Sequence, residues 1–309
     1  MDFPISGAHL SPFWLIAVGL VVGVLGGFFG VGGSFLAGPA LYALGLPMNL
    51  VVGTDLAHIM GKSVVAARKH RALGNVDLKL GLLMVGGTIA GVEAGAQVVQ
   101  VLKRHNIADL VLGCAFTVIL IALSAFMTWE SISALLQRKL AQSGQIKVGS
   151  TVKDRIHFTG LIKKVRAWKL PPYVSFPASG ISKISLWAVI GVGLVGGFFS
   201  GLLGGGAGYI RMPSLVYVLG VPTHVAIGTD LFEVIISAGY GTVSHALKGN
   251  VDILIALVMH TGAAVGAQIG AAMTEHFHGP KLRLAFVPLP VLGAALLLYE
   301  LFQKGLLKL

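Results

Sequence analysis

Gly26-Gly27-Phe28-Phe29-Gly30-Val31-Gly32-Gly33-Ser34 ends one apolar run, Phe13 to Phe29, and opens a second, Phe35 to Leu46, that is too short to cross a bilayer. A spanning helix needs about 20 residues. The same event recurs late in the chain. Gly196-Gly197-Phe198-Phe199 leads into Gly201-Leu202-Leu203-Gly204-Gly205-Gly206-Ala207-Gly208 and then into the short run Tyr209 to Leu219. Further along, Gly45-Leu46-Pro47 returns as Gly220-Val221-Pro222, and Gly53-Thr54-Asp55-Leu56 as Gly228-Thr229-Asp230-Leu231. Gly74-Asn75-Val76-Asp77 returns as Gly249-Asn250-Val251-Asp252, and Gly95-Ala96-Gln97 as Gly266-Ala267-Gln268. Matches in one order at nearly constant offset read as an internal repeat. The chain is accordingly divided into a first membrane repeat (1–136), a connector (137–183) and a second membrane repeat (184–309).

Composition places these repeats in lipid. Of 309 residues, 55% are hydrophobic and 11% charged, against about 25% charged in a soluble domain. The 43 glycines would weaken soluble helices, whereas membrane helices use small residues for close backbone packing. The expected fold is an all-α membrane protein of two tandem helical repeats with Gly-rich broken helices and about 8–10 transmembrane segments. Met1 to Pro12 lacks Lys and Arg, so Trp14 to Phe29 is expected to stay as a membrane segment rather than act as a cleaved signal. The lone Cys114 sits in an apolar run and excludes an internal disulfide framework.

The net charge of +11 is concentrated rather than spread along a groove: 10 of the 23 Lys and Arg lie between Arg138 and Lys183, with Asp154 the only acid there. Basic residues beside spans mark the cytoplasmic side, so the connector is expected in the cytoplasm and a nucleic-acid partner is not. Within it, Lys147 to Phe158 and Leu161 to Val165 have strand-like composition. Charge bias fits parallel and inverted repeats almost equally; an amino terminus without positive charge leans towards inversion, a common transporter design.

Irregular backbone at membrane depth survives only where it is buried in protein or lines a wet cavity. The glycine clusters are the places for it: consecutive amides can face one concavity, with the positive end of the next half-helix behind them, which suits an anion. Close helix packing is the competing account of the glycines. The candidate solute-binding residues are Gly30, Gly32, Gly33, Ser34, Gly204, Gly205 and Gly206 for backbone, Thr54 and Thr229 for hydroxyls, and Arg211 for charge. Arg211 has the alternative of snorkelling to the interface. Asp55 and Asp230, with His58 and Glu233 one turn on, are the coupling or gating candidates, because a carboxylate at membrane depth is costly and able to carry a proton. The alternative for both aspartates is helix capping. Lys62 lies a further turn along the face of Asp55 and His58. Gln97 and Gln268 read as pins between helices. No metal, P-loop or nucleophile pattern stands out, His276 and His278 being too short a pair; no cofactor and no enzymatic activity are expected.

The glycine break followed by Gly-x-Pro and Gly-Thr-Asp, twice, resembles the sulfite exporter TauE/SafE family of membrane transporters. The resemblance covers most of Phe13 to Leu301 apart from the connector. It implies export or permeation of sulfite and small organosulfonates across the inner cell membrane by a multi-pass protein without an organic cofactor. The chain departs from the pattern at Ser34, where a third glycine is frequent, and at Asp55 and Asp230, where a small polar residue is usual; the two acids point to proton coupling or to a different solute. The expected partners are a small anionic solute and the bilayer, with a homodimer left open. A membrane enzyme or assembly factor using His58, His245 or the His276 and His278 pair on a lipid or metal, and a non-transporting scaffold acting through the connector, are the competing classes.

Overall fold

The computed structural model describes residues 1–29, 33–142, 162, 165, 170–273 and 288–306. Its helices are α1 (Pro12–Phe29), α2 (Ser34–Ala43), α3 (Met48–Ala72), α4 (Leu78–Arg104), α5 (Ala108–Gln142), α6 (Leu186–Leu203), α7 (Gly208–Ser214), α8 (Thr223–Leu247), α9 (Ile253–Met273) and α10 (Pro288–Gln303). Two short antiparallel hairpins precede α1 and α6: β1 (Asp2–Phe3) with β2 (Ala8–His9), and β3 (Tyr173–Phe176) with β4 (Ile181–Ser185).

Glycine at every fourth position dictates how the long helices pair. Gly19, Gly23 and Gly27 of α1 lie against the backbones of Met259, Ala263 and Ala267 of α9, while Gly262, Gly266 and Gly270 of α9 lie against Ile16, Leu20 and Val24 of α1. The same interlock joins α4, through Gly87, Gly91 and Gly95, to α6, through Gly193, Gly197 and Gly201. Rising numbers match rising numbers, so each pair runs parallel. Without side chains between them the helix backbones touch, and dispersion supplies the attraction that the hydrophobic effect cannot supply in lipid.

Both pairs join the amino-terminal half to the carboxy-terminal half. The hairpins extend the exchange: Ser6 N donates to Asp252 Oδ2 at the α8–α9 turn, and Ser179 Oγ to Asp77 Oδ2 at the α3–α4 turn. At the centre α3 and α8 run antiparallel. Gly53 near the start of α3 meets Asn250 just past the end of α8, and Gly228 near the start of α8 meets Asn75 just past the end of α3.

Six helices are long and apolar enough to cross a membrane, among the described residues: α1, α3, α4, the Ala108–Trp129 part of α5, α6 and α9. Of the others, α8 has 25 residues but buries Asp230 and Glu233, α10 has 16, and α2 and α7 are the half-length pieces foreseen after the glycine clusters. Apolar side chains point outward along this bundle, among them Leu82, Val118, Leu257 and Val265, each more than half exposed. Trp14 at the start of α1 and Trp187 at the start of α6 are exposed as well, as expected of rings at a membrane interface. The protein is a multi-pass, all-α membrane protein.

Most of the connector, including Lys147 to Phe158, lies outside the described residues, as do His276 and His278. In Leu161 to Val165, where a strand was expected, the two described positions, Ile162 and Val165, are helical. Among the described residues of the connector, the strand β3 and the start of β4 lie further on, from Tyr173.

Candidate functional site

At the crossing of α3 and α8, Leu56 and Ile59 pack on Val234 and Ala238. The break between α6 and α7 is lodged beside this contact. Gly204, Gly205 and Gly206 have φ of 77°, 78° and 68°, and Ala207 follows in the left-handed region at 48°. A side chain on Ala207 costs about 1–2 kcal/mol in that conformation, so the surroundings hold the turn in place. A Cβ on Gly204 would come within 2.8 Å of the Val52 carbonyl of α3, and one on Gly206 within 3.0 Å of Val234 of α8. The irregular turn therefore fits between the two central helices only because it is glycine.

One turn into α7, Arg211 is completely buried. Its Nε donates to Asp230 Oδ1, its Nη1 lies 2.5 Å from Glu233 Oε2, and its Nη2 donates to the Gly206 carbonyl at 2.9 Å. Ser237 Oγ donates to Glu233 Oε2. The snorkelling alternative for Arg211 is thus corrected: both carboxylates and the break itself draw the guanidinium inward. Its fork is occupied by protein rather than held open for a solute.

The equivalent positions in α3 have different chemistry. Asp55 Oδ1 lies 3.3 Å from His58 Nδ1, both fully buried, and Lys62 is buried as well. Asp55 Oδ2, His58 Nε2 and Ser63 Oγ have no hydrogen-bond partner among the described residues. The first break is described from Gly33, which caps α2 at φ 73° and would press a Cβ within 2.4 Å of the Val22 carbonyl. Gly30 and Gly32 lie outside the described residues, as does the side chain of Ser34.

Capping is the wrong account of Asp55 and Asp230. Helix α3 starts at Met48 and α8 at Thr223, so both acids sit two turns inside. Met48 N donates instead to Asp109 of α5. The acids that cap are Asp77, accepting from Leu80 N, and Asp252, accepting from Ile255 N. Thr54 and Thr229 were expected to offer hydroxyls to a solute; each oxygen accepts a backbone N–H from those capping residues, Thr54 from Asp252 and Thr229 from Asp77, both at 2.9 Å. They stitch α3 to the start of α9 and α8 to the start of α4. Gln97 and Gln268 are exposed, and Gln97 donates to Glu93 one turn back on its own helix rather than pinning a neighbour.

Sequence reasoning overlooked His70. Its Nε2 reaches the Gly27 carbonyl near the end of α1, as His245 Nε2 reaches Gly201 near the end of α6. The signal was present, because His70 and His245 keep the same offset as Asp55 and Asp230. Asp77 and Asp252 were visible as repeat markers without a role.

A broken helix held against buried charges inside a lipid-embedded bundle is a design used by membrane transporters, and the comparison with known proteins points to the same class. The profile of the family described as Sulfite exporter TauE/SafE matches residues 15–297. The chain belongs to that family. It is a membrane transporter, not an enzyme. Among relatives, the "Probable membrane transporter protein YunE" of Bacillus subtilis (strain 168) is 25% identical over 295 residues, 93% of this chain and 97% of its own. The "Probable membrane transporter protein YdhB" of the same organism is 24% identical across 92% of this chain and 99% of its own. A "Probable membrane transporter protein" of Xylella fastidiosa (strain Temecula1 / ATCC 700964) reaches 40% identity over 107 residues, 33% of this chain and 40% of its own. No solved structure matches the chain.

Proposed function

We propose that this TauE/SafE transporter is a secondary carrier of small anions, sulfite or small organosulfonates, in the inner cell membrane. The two halves act as inverted repeats around a solute site at the α3–α8 crossing. The supporting observation is the glycine turn Gly204–Ala207, wedged between the central helices with the positive end of α7 behind it. Inversion draws support from the antiparallel run of α3 and α8 and from the exchanged contacts Thr54–Asp252 and Thr229–Asp77. Sulfite is favoured by the family's description and by the fit of oxyanions to backbone donors at a helix start.

Purified protein in liposomes loaded with unlabelled sulfite should take up labelled sulfite by counterflow. Gly206→Ala should lower that flux at least about tenfold, because φ of 68° and contact with Val234 oppose a side chain. Counterflow of dicarboxylates but of neither sulfite nor sulfonates would reject the substrate. Undiminished sulfite flux in Gly206→Ala would reject the site.

A further inference from the structure

The charge count at Arg211 does not close. Three ionisable groups, Arg211, Asp230 and Glu233, meet with no exposure to solvent, one carrying a positive and two a negative formal charge. The arginine stays charged at any relevant pH, so full ionisation would strand one negative charge inside the membrane, a strongly disfavoured state. Two carboxylate oxygens in the cluster, Asp230 Oδ2 and Glu233 Oε1, have no hydrogen-bond partner among the described residues. We propose that Asp230 and Glu233 share one exchangeable proton opposite Arg211, and that this is the proton-coupling site of the transporter. This rests on the carrier reading above and goes further by assigning the coupling ion and its residues.

Among the described residues, the helices packed on α8 bring few other charges towards this cluster. Helix α6 has no titratable side chain, and α7 brings only Arg211 and the phenol of Tyr209. Helix α4 faces α8 with Glu93, which is bound by Tyr240, Ser244 and Lys248 two or more turns away from the cluster. Helix α3 brings Asp55, His58 and Lys62 to the same crossing, and the cation in contact with both Asp230 and Glu233 is Arg211. A metal cation is a poor substitute for the proton. It draws several oxygen ligands, whereas this cluster leaves two oxygens unclaimed beside a guanidinium, and the described residues contain no group of three or more His, Cys, Asp or Glu able to hold a metal. A proton needs one oxygen only. The α3 cluster differs in composition, because Asp55 lies 3.3 Å from His58, with Lys62 buried further along the same helix.

The site would work by exchanging partners. When protonated, the cluster is neutral and Arg211 can hold the Gly206 carbonyl and seal the turn. Loss of the proton leaves an excess negative charge that favours opening towards water. Movement of the break is thereby tied to proton release.

The test is infrared difference spectroscopy of the full-length protein in detergent, titrated between about pH 5 and pH 8 without any solute gradient. The wild type should show the carbonyl stretch of one protonated buried carboxyl that disappears on alkalinisation. Asp230→Asn and Glu233→Gln should each fold and lose the band, since either leaves Arg211 with one carboxylate and no unpaired charge. Asp55→Asn should retain it. Four results would overturn the proposal: no such band in the wild type at any pH, a band persisting in both single variants, failure of both variants to fold, or replacement of the band by sodium-dependent changes. The measurement needs no transport, so absent sulfite flux with the band present rejects the substrate reading alone, and flux without the band rejects the proton site alone.

Discussion

Alanine at two glycines of the same helix should change stability in opposite directions. Gly86 and Gly91 both lie within α4, Gly86 exposed with nothing within 4 Å of an added Cβ. Relief of the helical glycine penalty should make Gly86→Ala more stable by about 1 kcal/mol. At Gly91 the added Cβ would lie 2.2 Å from the Leu194 carbonyl oxygen and 2.6 Å from Phe198 N of α6. Restoring an ordinary contact of 3.4 Å requires α4 and α6 to separate by about 1.2 Å. No side chain can rotate away, because both obstructing atoms are backbone. Overpacking of this kind costs about 1–3 kcal/mol; taking the upper end and crediting the propensity gain leaves a net loss of about 2 kcal/mol, so the two variants should differ by about 3 kcal/mol. Equilibrium unfolding in mixed detergent micelles, followed by tryptophan fluorescence, measures the difference. If Gly91→Ala proved as stable as Gly86→Ala, the glycine-mediated contact between α4 and α6 would not carry the energy assigned to it.

The exchanged threonine contacts should behave alike. Thr54→Val and Thr229→Val each leave a buried backbone N–H, of Asp252 or Asp77, without its acceptor, and each should cost about 1–3 kcal/mol in the same unfolding assay, with Thr54→Ser close to wild type. Asp77→Ala removes the acceptor for Leu80 N and for Ser179 Oγ; it should lower stability by about 0.5–2 kcal/mol and speed proteolysis of the β3–β4 hairpin.

Much of the architecture was legible along the chain because lipid imposes simple demands. Apolar runs, their lengths and the glycine clusters identified helices and breaks wherever a backbone without water has few alternatives. Five matching motifs pair Asp55 with Asp230 and Thr54 with Thr229 along the sequence. The spacing of Gly19, Gly23 and Gly27, or of Gly87, Gly91 and Gly95, was equally visible and predicts close helix pairs, yet spacing does not name the partner. That choice depends on which two grooves meet in space.

Partners emerge only when the helices pack. Arg211 and Asp230 lie 19 residues apart, and nothing local separates an arginine that snorkels from one buried between two acids. Asp55 beside a threonine has the composition of a cap, and only the start of α3 at Met48, with Asp109 serving that end from α5, removes the capping role. A lipid-embedded helical chain with two glycine interruptions is already written in the order of residues, since composition and periodicity are one-dimensional properties that the bilayer reads directly. Which charges neutralise one another depended on the fold, because a direct ion pair needs its groups within about 4 Å and such distances exist only once α7 and α8 are packed together.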